Sequence, residues 1–242
     1  MADEIDLLDM FEEEELHSDL KPWIVETEFG ECLKHPLLFM LFFTPQMNKM
    51  ANKSYLAKKK YVEEAESEGR YQSAIGFYER PHRWDAIQDY QEYLSDQEYW
   101  EMLGYVWTDS ENICQHRSEA LKMMISDRDG RWQHLMDEEE RHSFDKLPDV
   151  LTIYRGWCYE DAEHGMSWTL DESTANWFAS RFAAGCHVDP FVTTGRIEKS
   201  KVLAHFLGRR ENEIVVDPDD VDFLKVKEAT TGSKPERTSD ES

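Results

Sequence analysis

The sequence is short of positive charge: its 242 residues contain 27 Lys and Arg against 51 Asp and Glu, a formal net charge of −24. Non-specific binding to nucleic acid depends on Lys and Arg displacing counterions from phosphates, so this composition disfavours it. An acidic chain suits a basic protein surface, or imitates nucleic acid on one, although acidity also serves solubility alone. The charge therefore leaves two interpretations open: the acidic surface binds a partner, or it serves only to keep the protein soluble.

Cysteine, metal-ligand motifs and long apolar runs are also scarce. The four cysteines form no CxxC pair, and the nine histidines fall at no ligand spacing, so we expect a reducing compartment and no metal. The first twenty residues contain nine acids and no base, unlike a secretory signal. The apolar run at 36–45 (PLLFMLFFTP) is too short to span a bilayer. The sequence therefore predicts a cytoplasmic protein without a membrane segment.

The N-terminal part of the chain reads as helical. Residues 1–20 combine acids with scattered apolar side chains, which predicts either an acidic amphipathic helix or a flexible tail. A helical lobe is expected over 21–148, because Trp84, Ile87, Tyr90 and Leu94 recur at helical spacing. Ser95 with Glu98, and Thr108 with Glu111, resemble capping boxes, and 131–144 is expected to form one helix.

The pattern changes at Val150, where short segments of β-branched and aromatic residues alternate with turns. One helix is expected from Asp171 to Ala184, with Thr169 and Glu172 as its capping box. A helical lobe followed by strands predicts an α+β fold with a mixed, mostly antiparallel β core over 149–228 and a disordered tail at 229–242. The expected strands are Val150–Tyr154, Phe191–Thr194, Val202–Phe206, Glu213–Val216 and Phe223–Val226.

Three features of this core stand out in chain order: Arg155 at a strand end, Ser167 before the helix, and Glu213 opening a strand. Taken singly, an arginine at a strand end is usually a surface charge, a serine before a helix is usually a cap, and a glutamate in a strand usually faces solvent. Together they resemble the mono-ADP-ribosyltransferases of the arginine–serine–glutamate class, the fold of many bacterial toxins and phage modification enzymes. The resemblance covers roughly 151–216. It implies an ADP-ribosyltransferase type of core that uses NAD⁺ as co-substrate.

The resemblance also implies roles for single residues. Glu213 matches the catalytic glutamate, Ser167 the serine that orients it, and Glu211 the acid two positions before it, which would serve the acceptor. Breaking the nicotinamide–ribose bond builds positive charge on the ribose carbon, which a fixed carboxylate stabilises. The residues expected to bind NAD⁺ are Arg155, Gly156, Ser167, Thr169, Phe178 and Arg181. Trp168 departs from the family pattern, which has a small residue there.

We therefore predict transfer of ADP-ribose to a protein arginine side chain. Three alternatives stay open. Arg209 and Arg210 beside Glu211 leave room for a nucleic-acid acceptor. Water as the acceptor would make the protein an NAD⁺ glycohydrolase. A degenerate core would leave an acidic inhibitor or interaction protein.

Overall fold

The computed structural model describes residues 14–110, 113–159, 162–186, 188–208 and 211–230, without the side chains of 182 and 184–186. Its contacts divide the chain into two compact units. The first unit contains the chain up to Ser95 together with 109 and 110, and the second contains Asp96–Thr108 and the chain from 113 onward. Of the predicted terminal segments, 1–13 and 231–242 lie outside the described residues.

The first unit opens with a three-stranded antiparallel sheet, in the order β1 (Ile24–Thr27), β2 (Gly30–His35) and β3 (Leu38–Met40). Gly30, at φ +110°, closes the turn between the first two strands. Three helices follow: α1 (Asn48–Ser67), α2 (Tyr71–Phe77) and α3 (Arg83–Tyr90). The helical prediction is therefore right for these three segments and wrong at 24–40, where strand pairing satisfies the backbone instead.

Residues 14–19, part of the acidic N-terminal segment, are attached to α1. The buried Asn52 side chain donates to the Glu15 carbonyl at 2.9 Å and accepts from the His17 amide at 2.8 Å. Asp19 accepts from the Tyr55 hydroxyl at 2.7 Å and from Lys59 at 2.9 Å. These two donors hold the pKa of the Asp19 carboxyl at about 2. This part of the acidic segment is thus built into the first unit.

The second unit begins with four helices: α4 (Asp96–Asp109), α5 (Arg117–Met124), α6 (Arg131–His134) and α7 (Glu138–Asp145). Two predictions fail here. Thr108 does not start a new helix, because it lies in the last turn of α4 and its hydroxyl donates to the Gly104 carbonyl at 2.9 Å. The single helix expected at 131–144 is two, because Asp137 caps α7 in a capping box with Glu140.

A six-stranded antiparallel sheet forms the core of this unit, in the order β7-β8-β5-β4-β6-β9. All five predicted strands are present, so the α+β fold is confirmed, and β5 adds a strand that the sequence did not indicate. The bounds are β4 (Val150–Trp157), β5 (Ser167–Thr169), β6 (Phe191–Glu198), β7 (Val202–Phe206), β8 (Glu213–Val216) and β9 (Asp222–Glu228).

Helix α8 (Glu172–Cys186) connects β5 to β6. It begins one residue after the predicted start at Asp171. Asp171 caps it in place of Thr169, because the Asp171 carboxylate accepts from the Ser173 amide at 2.9 Å. The helix lies very close to β4: a Cβ at Gly156 would stand 1.9 Å from the Ala175 carbonyl oxygen. Only glycine at 156 permits this close approach, so the position of α8 against β4 depends on Gly156.

Apolar side chains of the central strands pack in one cluster with Phe144 of α7, and Ala175 and Ala179 of α8 pack with Val192 in another. In the first cluster lies Trp168, which alternates with its neighbours Ser167 and Thr169 along β5. Among the described helices, none combines the length and apolar character that a bilayer crossing requires.

Candidate active site

The register of three neighbouring strands brings the predicted site residues together. In the pairing of β5 with β8, Thr169 lies opposite Glu213, and Ser167 lies opposite Val215. Because alternate residues of a strand share a face, the side chains of Ser167, Thr169 and Glu213 lie on one face of the sheet. Trp168 and Ile214 are buried on the other. On the other edge of β5, Tyr154 pairs with Thr169, so the next residue, Arg155, comes opposite Trp168 and leaves β4 on the Trp168 face of the sheet.

Ser167 and Glu213 are in direct contact. The hydroxyl of Ser167 donates a hydrogen bond of 2.5 Å to Oε1 of Glu213. Both side chains sit on paired strands of a central sheet, so the backbone fixes their relative position. The family resemblance implies this pair, whose members lie 46 positions apart in the chain.

A second donor reaches the same oxygen. The indole Nε1 of Trp107, in α4, lies 3.1 Å from Oε1 of Glu213. Trp107 is buried at 1% exposure, and its helix is anchored nearby by hydrogen bonds from Tyr99 to the Met123 carbonyl and from Trp100 to the Asp129 carbonyl. No sequence pattern indicates this contact, because Trp107 belongs to an aromatic helix pattern that is typical of packing.

Arg155 ties the loop before β5 to the end of β4. Its Nε donates to the Ala162 carbonyl at 2.7 Å, and its Nη1 donates to the carbonyl of Ser167. The guanidinium also lies flat against Gly165, where a Cβ would stand 2.1 Å from Nη2. Arg155 therefore fixes the backbone of Ser167 as well as carrying charge.

The electrostatic surroundings of Arg155 are unusual. Burial, the largest cause, and the nearby Arg117 lower the pKa of its guanidinium to about 10, while Glu213 and Cys114 partly oppose this. The group stays charged at neutral pH. Arg117 is half-buried at the start of α5, and no hydrogen bond or ion pair joins it to another described residue. A second guanidinium, that of Arg117, thus lies close enough to act on Arg155, and two neighbouring positive charges favour an anion.

The side chain of Thr169 is hydrogen-bonded to the backbone of Glu211. The hydroxyl of Thr169 donates to the Glu211 carbonyl at 2.5 Å, and the Leu170 amide donates to the Asn212 carbonyl at 3.1 Å. Asn212 has a φ of +43°, so the chain turns sharply between Glu211 and Glu213. The two acids therefore do not follow the simple alternation of an extended strand, in which residues two apart point to the same side. Arg209 and Arg210 lie outside the described residues.

Trp168 has a clear role at the position where the family pattern has a small residue. Its ring is buried in the core, and its Nε1 donates to the Gly165 carbonyl at 2.9 Å. That bond holds Gly165 beneath Arg155. The Trp168 side chain thus supports the loop before β5, to which Arg155 is also hydrogen-bonded.

The remaining predicted residues lie on or against α8. Gly156 has a packing role, as described above. Phe178 is half-buried beside Trp177, with ring centroids 4.9 Å apart, and the exposed Arg181 places its guanidinium 5.3 Å from the centre of the Trp177 ring. The structure thus groups Phe178 and Arg181 around Trp177, a residue that the sequence did not single out.

A cleft of about 460 Å³ opens on this unit, and its lining includes Phe206, the strand partner of Glu213. Its walls come from α4, from the segment between Gln133 and Arg141, and from Phe206. None of the predicted site residues lines it, so the candidate site is a cluster at the sheet rather than this cleft.

The sequence matches no known family model, and no curated protein or solved structure is significantly similar to it. The geometry of the cluster is therefore what supports a function.

Proposed function

We propose that this protein breaks the nicotinamide–ribose bond of NAD⁺ and transfers ADP-ribose to a macromolecular acceptor, a protein arginine side chain by preference. The observation that carries the proposal is the 2.5 Å hydrogen bond from Ser167 to Glu213 on paired strands, with Arg155 bonded to the Ser167 carbonyl. An arginine, a serine and a glutamate in this order and contact are what the resemblance implies.

Glu213 would supply the main catalytic effect. As the glycosidic bond breaks, positive charge grows on the ribose carbon, and a carboxylate aimed at that carbon in advance stabilises the charge. The same carboxylate can accept a hydrogen bond from the ribose 2′-hydroxyl. Such stabilisation depends on fixed geometry, because a side chain that must reorient loses much of the gain.

Ser167 and Trp107 supply that geometry. Both donate to Oε1 of Glu213, so they fix the direction and tilt of the carboxylate while it is ionised. In this proposal they are positioning residues, which act on the substrate through Glu213.

Arg155 would bind the pyrophosphate of NAD⁺. A guanidinium has five N–H donors, and two of those on Arg155 bind backbone carbonyls, which leaves others for phosphate oxygens. The neighbouring Arg117 adds a second positive charge. As the resemblance implies, we assign nicotinamide stacking to Phe178 and a phosphate contact to Arg181, both on α8, while Thr169 holds the backbone of Glu211.

Glu211 would hold or deprotonate the acceptor. An arginine acceptor carries a positive charge at any ordinary pH, so a nearby carboxylate both attracts it and assists removal of its proton. The overall charge of −24 also favours a basic protein over nucleic acid as the acceptor.

The test is incubation of the purified protein with NAD⁺ labelled in the adenylate part, together with a cell lysate. The matched control is Glu213→Gln, which keeps size and removes the charge. We expect label on a protein band with the wild type alone, lost when that protein's arginines are blocked. Label on nucleic acid would establish the other acceptor class, and free ADP-ribose without labelled macromolecules would establish a glycohydrolase. Absence of all three products from folded protein would leave the acidic binding protein.

A further inference from the structure

The cleft of about 460 Å³ on the second unit is acidic. One carboxylate comes from α4 and three come from the N-terminal end of α7: Glu101, Asp137, Glu138 and Glu140. Among the described residues that line the cleft, the basic side chains are those of His134 and Arg141. The guanidinium of Arg141 is already engaged, because its Nη1 donates to the Gln133 and Met136 carbonyls at 2.7 and 2.5 Å. The cleft therefore favours a positively charged ligand.

Glu140 is buried in the wall of this cleft without a counter-charge. Its side chain is 8% exposed, and its two oxygens accept from the Leu207 and Asp137 amides, each at 3.0 Å. No cation of the described chain forms an ion pair with it. Burial raises the pKa of the Glu140 carboxyl, and the negative charges of Asp137 and Glu139 add to this. Since a buried carboxylate is normally paired with a cation, Glu140 points to one supplied from outside the chain.

The floor of the cleft is apolar. It contains Leu135, Met136 and Phe206, all of them buried. An acidic rim above an apolar floor suits a side chain with an aliphatic stem and a cationic head. Arginine fits this better than lysine, because its planar guanidinium binds two carboxylate oxygens at once and packs flat on an aromatic ring. A metal ion fits poorly, since the described residues form no group of three or more ligands that could hold one.

The cleft lies one strand away from Glu213. Phe206 is directly opposite Glu213 in the pairing of β7 with β8, so their side chains share a face of the sheet with Cβ atoms about 4.5–5.5 Å apart. Thr108, which also lines the cleft, follows Trp107 in α4, and Trp107 donates to Glu213. A ligand in the cleft is therefore a close neighbour of a substrate at the catalytic carboxylate.

We propose that this cleft binds a second arginine of the acceptor protein, beside the arginine that receives ADP-ribose. The inference rests on the proposed transfer to arginine and adds the means of selecting an acceptor. Glu211 and Glu213 would serve the modified arginine, and the cleft would hold its neighbour between Glu138, Glu140 and the apolar floor. Acceptors with two arginines close together are then preferred over those with one.

The test compares two peptides on the purified full chain without NAD⁺, by fluorescence anisotropy. One is acetyl-Gly-Arg-Gly-Arg-Gly-amide, and in the other glutamine replaces the second arginine. We expect the peptide with two arginines to bind about tenfold more tightly. A peptide with lysine in the second position should bind with an intermediate affinity, because lysine is a point charge without the planar fork.

Variants of the cleft assign that preference to it. Glu101→Gln with Glu138→Gln should remove most of the difference between the two peptides. The control is Glu139→Gln with Glu198→Gln, which removes the same charge from exposed residues of the same unit that do not line the cleft, and it should keep the difference. All four side chains are exposed, so folding can be verified by circular dichroism. Glu140→Gln should act in the same direction, although it also alters the cap of α7.

Four results would overturn the proposal: equal binding of the arginine and glutamine peptides, a preference that survives Glu101→Gln with Glu138→Gln, a preference that the control variant loses equally, and lysine that serves as well as arginine. Nicotinamide release by the wild type is measured on the same preparation. Release without peptide preference would contradict the cleft alone. Peptide preference without release would contradict the transferase and still support an arginine site in the cleft.

Discussion

Trp107 and Glu213 lie 106 positions apart in the chain, and the indole nitrogen of Trp107 donates a 3.1 Å hydrogen bond to Oε1 of Glu213. The Ser167 hydroxyl donates to the same oxygen. One carboxylate is thus held by a helix on one side and by the neighbouring strand on the other. Two donors to one carboxylate oxygen fix its position, and electrostatic stabilisation of a transition state requires such a fixed carboxylate.

Trp107→Phe removes the indole donor and keeps an aromatic ring. A hydrogen bond to a charged group contributes about 1.5–3 kcal/mol, so we expect kcat for nicotinamide release to fall about tenfold or more. The KM for NAD⁺ should change little, because the bond acts on Glu213 and not on the substrate. The control is Trp100→Phe, which loses a similar bond, to the Asp129 carbonyl, from the same helix. Equal losses of kcat in both variants would show that Trp107 only stabilises α4.

Gly165→Ala tests the contact between Arg155 and the loop. The added Cβ would meet the guanidinium at 2.1 Å, so Arg155 must move away from the Ser167 carbonyl. We expect a loss of about 1–3 kcal/mol in the free energy of unfolding. A rise in the KM for NAD⁺ should accompany it. Gly76→Ala, where a Cβ meets nothing within 4 Å, should do neither. Unchanged stability and KM in Gly165→Ala would refute the described position of Arg155.

Glu211→Gln separates transfer from hydrolysis. Since Glu211 is assigned to the acceptor and Glu213 to the ribose, we expect Glu211→Gln to retain nicotinamide release and lose label on the acceptor. Both quantities can be measured in one reaction with doubly labelled NAD⁺. If Glu211→Gln stopped nicotinamide release as fully as Glu213→Gln, the division of roles between the two acids would be wrong.

Five strands of the large sheet could be predicted from the local sequence, whereas β5 and the contact of Trp107 with Glu213 could not. The strands β4, β6, β7, β8 and β9 follow from short runs of β-branched and aromatic residues. The roles expected of Arg155, Ser167 and Glu213 came from the family resemblance. Strand β5 was missed because three residues are too few to show alternation. Trp107 was missed because nothing near it in the sequence distinguishes a packing tryptophan from one that donates to a distant carboxylate.

The first unit was harder to predict. The continuous apolar run before α1 lacks the alternation of a half-buried strand, so the strand β3 within it resembled part of a helical lobe. In the second unit, the break between α6 and α7 depends on the Asp137 side chain, and Leu135 packs against Gly104, whose Cβ would stand 2.4 Å from the Leu135 carbonyl oxygen. Long-range packing of this kind leaves no local pattern.

His205→Leu tests the buried imidazole on β7. Both ring nitrogens of His205 lack a hydrogen-bond partner among the described residues, and burial lowers its pKa. The unfolded chain therefore binds a proton near pH 6.5 that the folded chain does not. Stability from this group is fully present above pH 6.5 and is lost as the pH falls below it, by at most about 1.4 kcal/mol per pH unit.

Chemical unfolding of His205→Leu at pH 7 and at pH 5.5 provides the measurement. We expect the wild type to lose more stability between the two than the variant does. His35, whose pKa burial also lowers, is present in both proteins and so does not enter the difference. Equal losses would mean that His205 is protonated or solvated in the folded protein.

The most direct test of the proposed chemistry is the rate of nicotinamide release from NAD⁺ by the purified wild type beside Glu213→Gln, with both proteins shown to be folded. The 2.5 Å contact between Ser167 and Glu213 leads us to expect release by the wild type and a loss of about a hundredfold or more in the variant. Equal rates, or no release by the folded wild type at any NAD⁺ concentration, would contradict the assignment of Glu213 as the catalytic carboxylate.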